Sequence, residues 1–410
     1  METTLHLPEV LLTEIQARLP FRSISKFKCV CKTWKTTLES LYFRRLYLSL
    51  RQNRGSSWSL LCGVKELIGE TWDLPKSLAS YIPPPFLGIS ASSNGLVLVE
   101  RYSDCASCFV GNPVLQQWVE IPPPPHRSDV FGLVTRVDPE CGAVLGFKVV
   151  RLAAVVPIKA SPGALMSSTY LSLCVYSSDT GVWTSEGLYC PRYISNRAAM
   201  TLNGMIYLSQ TQPGVLISHD FYAESDQCSL TPLPDPFHSN LNERAALTTS
   251  RGFVMYIKTL GQNRLKVWRL VKDSGDACWQ LLWDVCLPFT LGSHAPMAVH
   301  PFDADIVYIW SQHSHRLVSC NLRTQNYGIL GAGDDDDAHQ NFFMNHSVCD
   351  ENIDEIWSFR SSDWDFGPSI DLSQFVPPLW MDSVPRPPQV EMMDTTSLLS
   401  YIKRTQNEAG

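Results

Sequence analysis

No apolar run in these 410 residues approaches the roughly 20 that a membrane-spanning helix needs. Residues Met1 to Leu12 lack the basic and apolar halves of a secretory leader. The chain is therefore expected to act inside the cell, in the cytoplasm, the nucleus or both, with no membrane partner. Its thirteen cysteines agree: they are odd in number and scattered, and Cys174, Cys286 and Cys320 sit inside apolar strand-like runs, the usage of reduced thiols. Cys105 and Cys108 form a single Cys-x-x-Cys without a second half, His313 and His315 supply no complement, and zinc takes four ligands. Asp334 to Asp337 lack the alternating ligand spacing of a calcium loop and read as a solvated loop, so no metal is expected. Equally missing are a phosphate-binding Gly loop, a Gly-x-Ser-x-Gly elbow and a His-Glu-x-x-His pair. His219, Asp220, His300 and Asp303 assemble into a triad only on paper, and each reads as a turn or strand-end residue. No catalytic residue and no cofactor is assigned, and the chain is not read as an enzyme.

What the chain has is apolar surface in two different rhythms. Its length suggests two or three domains, and a content of 44% hydrophobic and 10% aromatic residues suffices for a large core. Near the N-terminus the rhythm is helical. Pro8 suits the first position of a helix, Leu11, Leu12, Ile15 and Leu19 follow along one stripe, and Pro20 ends the run. Ser23 is placed to cap a second run in which Ile24, Phe27, Val30, Cys31, Trp34, Leu38 and Leu41 recur every three or four residues. About 40 residues cannot bury so many large side chains internally. The remainder is expected to face another protein. Residues 1–54 carry ten Lys and Arg against four Asp and Glu, a balance of +6 that leaves −13 for the rest. Lys26, Lys28, Lys32, Lys35, Arg44 and Arg45 alternate with apolar positions instead of lining a groove with exposed aromatics, which favours a solvated or adaptor-facing helix surface over nucleic acid.

Leu7-Pro8-Glu9-Val10, Leu12, Ile15 and Leu19-Pro20, followed by Ser23-Ile24, Phe27-Lys28, Val30-Cys31-Lys32 and Trp34, resemble the F-box over residues 3–48, with some sixteen positions agreeing in type and spacing. The polar Gln16-Ala17-Arg18 departs from the more apolar residues of many relatives. The resemblance implies a three-helix module that docks on the Skp adaptor and, through it, on a cullin. Leu7, Pro8, Ile15, Leu19 and Pro20 are then expected at or beside the adaptor contact, and Leu12, Ile24, Phe27, Val30 and Trp34 in the core of the module.

From Trp58 onward the apolar segments shorten to four to eight residues, rich in Val, Ile, Tyr and Trp and separated by Asn-Gly, Asp-x-Gly and Pro clusters, which is antiparallel β texture. Pro83 to Pro85 and Pro122 to Pro125 read as rigid extended turns. Gly95, Gly146, Gly204, Gly252 and Asp305 mark successive groups of strands at steps of 51, 58, 48 and 53 residues. A period near fifty with about four strands per unit is that of a propeller blade, which cannot cover its own faces and must stack around an axis.

These segments resemble degenerate kelch repeats and, more closely, the F-box-associated domain of a large plant family. Asn94-Gly95-Leu96-Val97, Asn112-Pro113 with Trp118 and Pro122, Phe147-Lys148-Val149-Val150 and Val175-Tyr176-Ser177-Ser178 with Thr180, Gly181 and Trp183 carry that likeness. The tandem Gly-Gly of strong kelch repeats is missing, and the expected blade count is about six. The domains expected are an F-box over 1–50, a polar connector, an independently folding propeller over 57–380, and a flexible tail over 381–410. The resemblance implies a substrate-recognition subunit of a Skp, cullin and F-box ubiquitin ligase, which recruits an unidentified protein and performs no chemistry itself. An F-box protein working outside the ligase, as a scaffold or a carbohydrate-binding propeller, is the alternative; a kelch-type oxidase would need copper ligands that cannot be placed. Tyr189, Arg192, Tyr193 and Arg197 form the best local cluster of aromatic and Arg anchors for the recognised protein, expected in an inter-strand connection.

Overall fold

A computed structural model of the chain describes residues 7–19, 21–51, 57–62, 65–70, 87–101, 104–126, 128–140, 142–158, 168–191, 199–210, 214–235, 243–261, 263–273, 276–289, 294–311, 316–329, 342–344, 372–377, 380 and 383–409. The N-terminal module contains α1 (Glu9–Ala17), α2 (Phe21–Phe27), α3 (Lys32–Glu39) and α4 (Leu41–Arg51). The second helical run expected from the spacing is thus broken. Cys31 leaves the helix with extended backbone, and its sulfur accepts from Trp34 N, so that a fresh helix starts there. Pro8 caps α1 from outside.

Six antiparallel sheets follow, one per blade. The chain first lays down β1 (Trp58–Cys62) and β2 (Lys65–Glu70), which wait for their partners. The first complete blade is β3 (Leu87–Ser93), β4 (Leu96–Arg101), β5 (Asp104–Asn112) and β6 (Gln117–Ile121), and the second β7 (Asp129–Val137), β8 (Val144–Ile158), β9 (Ser168–Ser177) and β10 (Val182–Cys190). The third is β11 (Ala199–Leu202), β12 (Met205–Gln210), β13 (Val215–Asp220) and β14 (Ser229–Pro232), and the fourth β15 (Arg244–Ser250), β16 (Phe253–Leu260), β17 (Arg264–Asp273) and β18 (Asp276–Cys286). The fifth is β19 (His294–Val299), β20 (Ile306–Ser311), β21 (Arg316–Asn321) and β22 (Asn326–Ile329). Finally β23 (Phe342–Met344) pairs with β2, and β24 (Leu372–Phe375) with β1. The closing blade is therefore shared by both ends of the propeller, which makes ring closure a long-range contact.

The periodic markers have a physical basis. Asn94–Gly95, Asn203–Gly204 and Arg251–Gly252 have positive φ at both positions, 45° and 76°, 51° and 81°, and 50° and 77°. Two-residue hairpins with the twist of the flanking strands require that geometry, and glycine adopts it freely. Gly146 lies just beyond the corresponding corner of the second blade, and Asp305 is the last residue of that corner in the fifth. The core consists of the seams between blades. Val149 and Tyr176 meet Leu98 and Val110 between the first and second blades, for example, and Leu173 and Leu188 meet Ile206 and Ile217 between the second and third. At the axis, Gln374 of β24 donates to Val299 O at 2.7 Å, accepts from Thr249 Oγ1 at 2.6 Å, and its carbonyl accepts from Ser92 Oγ at 3.3 Å, tying three other inner strands together.

One expectation about domains is corrected. Residues 381–410 are not a flexible tail over their described part: β25 (Met392–Asp394) adds to the outer edge of β6, and α5 (Thr395–Ala409) follows it. Asp394 Oδ1 caps that helix by accepting from Ser397 N at 2.6 Å, Leu398 is fully buried, Trp118 Nε1 donates to Thr395 Oγ1 at 3.0 Å, and Tyr401 donates to Glu120 Oε1 at 2.9 Å. The reason is that Phe109 and Trp118 need cover, which Leu398, Met393 and Tyr401 supply. The helical module rests on the propeller. Phe43 and Tyr47 share one buried cluster with Trp380 and Ala143, joined by the half-buried Val114 and Leu115, and Arg45 bonds Glu140 at 2.9 Å.

Candidate functional site

Two surfaces stand out. The first is on the helical module, where α1 turns Thr13, Gln16 and Ala17 inward and leaves part of its apolar stripe in solvent. Gln16 is 2% exposed and Ala17 is fully buried, whereas Leu11 is 51% and Ile15 is 49% exposed, with Leu7, Pro8 and Val10 also open. The departure Gln16-Ala17 is thus the inward face, held close by small or neutral side chains, and Thr13 beside it satisfies its hydroxyl on Glu9 O at 2.8 Å. Among the residues expected at the adaptor contact, Leu7, Pro8 and Ile15 are exposed, Leu19 is half-buried against the module's core, and Pro20 lies outside the described residues. Of the expected core, Ile24 is fully buried, Leu12 is half-buried, and the rings of Phe27 and Trp34 pack 5.3 Å apart. Val30 is the exception: it is 61% exposed, because α2 ends at Phe27 and Val30 falls in the turn before Cys31. Leu41 and Tyr42, at the start of α4, extend the set of exposed apolar side chains.

The second surface is set by chain direction. Successive strands of a blade run antiparallel, so the tight corners at 94–95, 203–204 and 251–252 gather on one face of the ring. Thr135 sits there against Asn94 at 2.7 Å and Ser93 at 2.9 Å. The helical module covers the same face, through Val114, Leu115, Glu140 and Ala143. The crossovers between blades emerge at the opposite face. There β8 and β9 outrun their neighbour: β7 stops at the pair Asp129 with Leu152, while β8 continues against β9 to the pair Ile158 with Ser168. On this extension Val156, Tyr170 and Tyr189 lie side by side across three strands, all exposed, with Ile158 beside them. Gly187 leaves room for the Tyr170 hydroxyl, which a Cβ there would meet at 1.7 Å. Tyr189 is therefore inside β10 and not in a connection, and Arg192, Tyr193 and Arg197 lie outside the described residues. Sequence reasoning passed over Val156, Ile158 and Tyr170, although the alternation of Ala154, Val156 and Ile158 was the available sign.

Buried cations brace the crossovers that reach this face. Arg151 donates to Ser128 O at 2.6 Å and to Glu100 Oε1 at 2.6 Å, which fixes the connection into the second blade. Lys258, fully buried, donates to Asp235 O at 2.9 Å and pairs with Glu243 at 3.0 Å, gripping both sides of the connection into the fourth blade. Burial pulls the Asp235 carboxyl upward, but Lys266 at 2.8 Å and Lys258 outweigh it and hold the group below its usual range. Beside Arg151, burial pushes the Cys108 thiol up to about 12 in spite of the cation.

Among the described residues the histidines form no constellation. Burial lowers His219, whose Nδ1 lies 3.3 Å from Gln227 O in the third blade. His300 accepts at Nδ1 from Phe302 N and Asp303 N in a turn of the fifth blade and reaches Glu70 through Nε2 at 3.2 Å. Among the described residues no group of three or more His, Cys, Asp or Glu is placed to hold a metal.

The chain matches two known families in succession. Residues 4–46 match the F-box domain, and residues 56–386 match the family described as "F-box protein At3g26010-like, beta-propeller". The chain belongs to this family. F-box protein At3g26010 of Arabidopsis thaliana is 52% identical over 99% of this chain and 98% of its own length. A second Arabidopsis thaliana relative, At4g22430, carries the F-box/kelch-repeat designation and is 46% identical over 97% of each chain; F-box protein At1g49990 of the same plant is 39% identical over 93% and 98%. In this F-box propeller the module is short and helical and the ring has six blades, as the strand period implied.

Proposed function

We propose that this F-box propeller is a non-catalytic substrate receptor of a Skp, cullin and F-box ubiquitin ligase. The observation that carries the reading is the orientation of α1, with Leu11 and Ile15 outward and Gln16 and Ala17 inward. A domain gains nothing by leaving Leu11 and Ile15 in water while burying Gln16, unless a partner covers the two apolar side chains. F-box domains in general bind Skp-type adaptors. The thioester chemistry then belongs to the ubiquitin-carrying enzyme, and the receptor contributes proximity by raising the effective concentration of a target lysine. The target is a protein taken by the face opposite the F-box, where Val156, Tyr170 and Tyr189 stand exposed, and the work is done in the cytoplasm or nucleus.

The test is co-purification with a plant Skp adaptor. Leu7→Ala with Pro8→Ala, or Ile15→Asp alone, removes exposed anchors without touching the core, and each is expected to weaken binding at least thirtyfold, the equivalent of about 2 kcal/mol. The adaptor-blind full chain should still capture its target from cells with the proteasome blocked, and the target should accumulate. Full adaptor binding by these variants, or unchanged target turnover, overturns the proposal. Deletion of residues 1–50 is the poorer instrument, because it uncovers Trp380.

A further inference from the structure

Cys190 closes β10, and Cys228 precedes β14 in the next blade. Between them the two segments run parallel: Tyr189 N donates to Asp226 O at 2.9 Å, Cys228 N donates to Tyr189 O at 3.0 Å, and Tyr189 pairs with Gln227. One step further along a parallel pair, Cys190 and Cys228 occupy facing positions, with Cα atoms about 5 Å apart and side chains on the same side. Disulfides span Cα separations of roughly 4.4–6.8 Å. Both side chains enter one apolar cluster with Leu188, Val215 and Ile217, and the two thiols, neither of them in a disulfide, hydrogen-bond to each other.

We propose that Cys190 and Cys228 are a redox pair that closes to a disulfide across the seam between the second and third blades when the protein meets a peroxide. One sulfur attacks the peroxide oxygen, losing its proton and giving a sulfenic acid and one water. The other sulfur attacks that sulfenic sulfur, losing its proton and releasing the second water. Two thiols and one peroxide thus become one disulfide and two waters, with the sulfurs oxidised and the peroxide reduced. The hydrogen bond from Cys190 and burial both push the Cys228 thiol up, which lowers its thiolate fraction and makes closure slow, a response to sustained oxidant. The bond would tie the end of β10, from which the connection to β11 departs, to the outer strand of the third blade. This property belongs to the propeller and does not depend on the ligase reading.

The reduced full-length protein is incubated with hydrogen peroxide, free thiols are blocked with N-ethylmaleimide, and peptides are mapped without reduction. The Cys190–Cys228 peptide is expected as the dominant intramolecular cross-link, reversed by dithiothreitol. Closing this loop should raise the Tm of the wild-type chain by about 5 °C and leave Cys228→Ala unchanged. Recovery of both cysteines carrying N-ethylmaleimide, or their conversion to sulfinic acids without a linked peptide, overturns the proposal. The wild-type map decides by itself should Cys228→Ala fail to fold.

Discussion

Tyr47 of the last F-box helix meets Trp380 of the propeller edge to face, with ring centroids 5.5 Å apart and planes at 81°. Phe43 approaches the same indole at 6.1 Å and 73°, and the charged ends of Lys28 and Arg44 each lie 5.4 Å from it. The F-box is therefore seated on the ring by a buried aromatic contact, with its exposed stripe left open and the long crossovers on the far side. Replacing Trp380 by Ala should cost about 3–5 kcal/mol of this docking. Hydrogen exchange reads it directly: amides of α3 and α4 should lose protection while the blades keep theirs, and equal protection in both proteins would contradict the assignment.

Lys258 is a fully buried cation facing Asp235 and Glu243. Lys258→Met leaves Glu243 buried without this counter-charge, and removing one member of such a set costs about 3–5 kcal/mol. Urea unfolding measures this as a lowered midpoint. Adding Glu243→Leu should recover part of the loss, because the uncompensated charge goes with it. A single-variant loss under about 1 kcal/mol would mean that water reaches the site.

The same site makes stability depend on acid. The Asp235 carboxyl titrates lower in the folded chain than its ordinary value of 3.8, so it contributes stability above that pH and loses it as the pH falls through the lowered value. Asp235→Asn should flatten the fall of the unfolding midpoint below pH 4 or so. Asp284 is lowered in the same direction by Arg264, but that pair is open to solvent and contributes little.

Leu398 tests the docked C-terminal helix. Leu398→Ala should cost about 2–5 kcal/mol, as for other buried leucines, because it opens a cavity over Phe109 and Trp118. Thermal unfolding should report a lower Tm for the whole propeller. A change confined to the helix, with the propeller melting as before, would show that α5 rides on the ring without stabilising it.

Much of the architecture was legible along the chain. Asn94–Gly95 and Asn203–Gly204 announce their hairpins because few other residues accept positive φ in succession, and runs such as Val254 to Ile257 announce buried strands by composition alone. What escaped was long-range. Asp394-Thr395-Thr396-Ser397 is a helix start with Leu398 and Tyr401 at helical spacing, yet nothing local says that Trp118, some 280 residues earlier, waits for it. Tyr189 looked like a loop residue since the extension of β8 and β9, which carries β10 with it, depends on pairing that no local signal specifies.

By itself, then, the sequence determined the helical module, the strand period near fifty and the surplus of apolar residues at the N-terminus, because these rest on local spacing and on backbone preferences of single residues. Only the tertiary structure decided which side of α1 faces out, that Trp380 seats the F-box on the ring, that Cys190 and Cys228 share a seam, and that both ends of the propeller complete one blade. Those outcomes depend on contacts between residues far apart in the chain, whose free energy arises from burial against a partner surface that does not exist until the ring has closed.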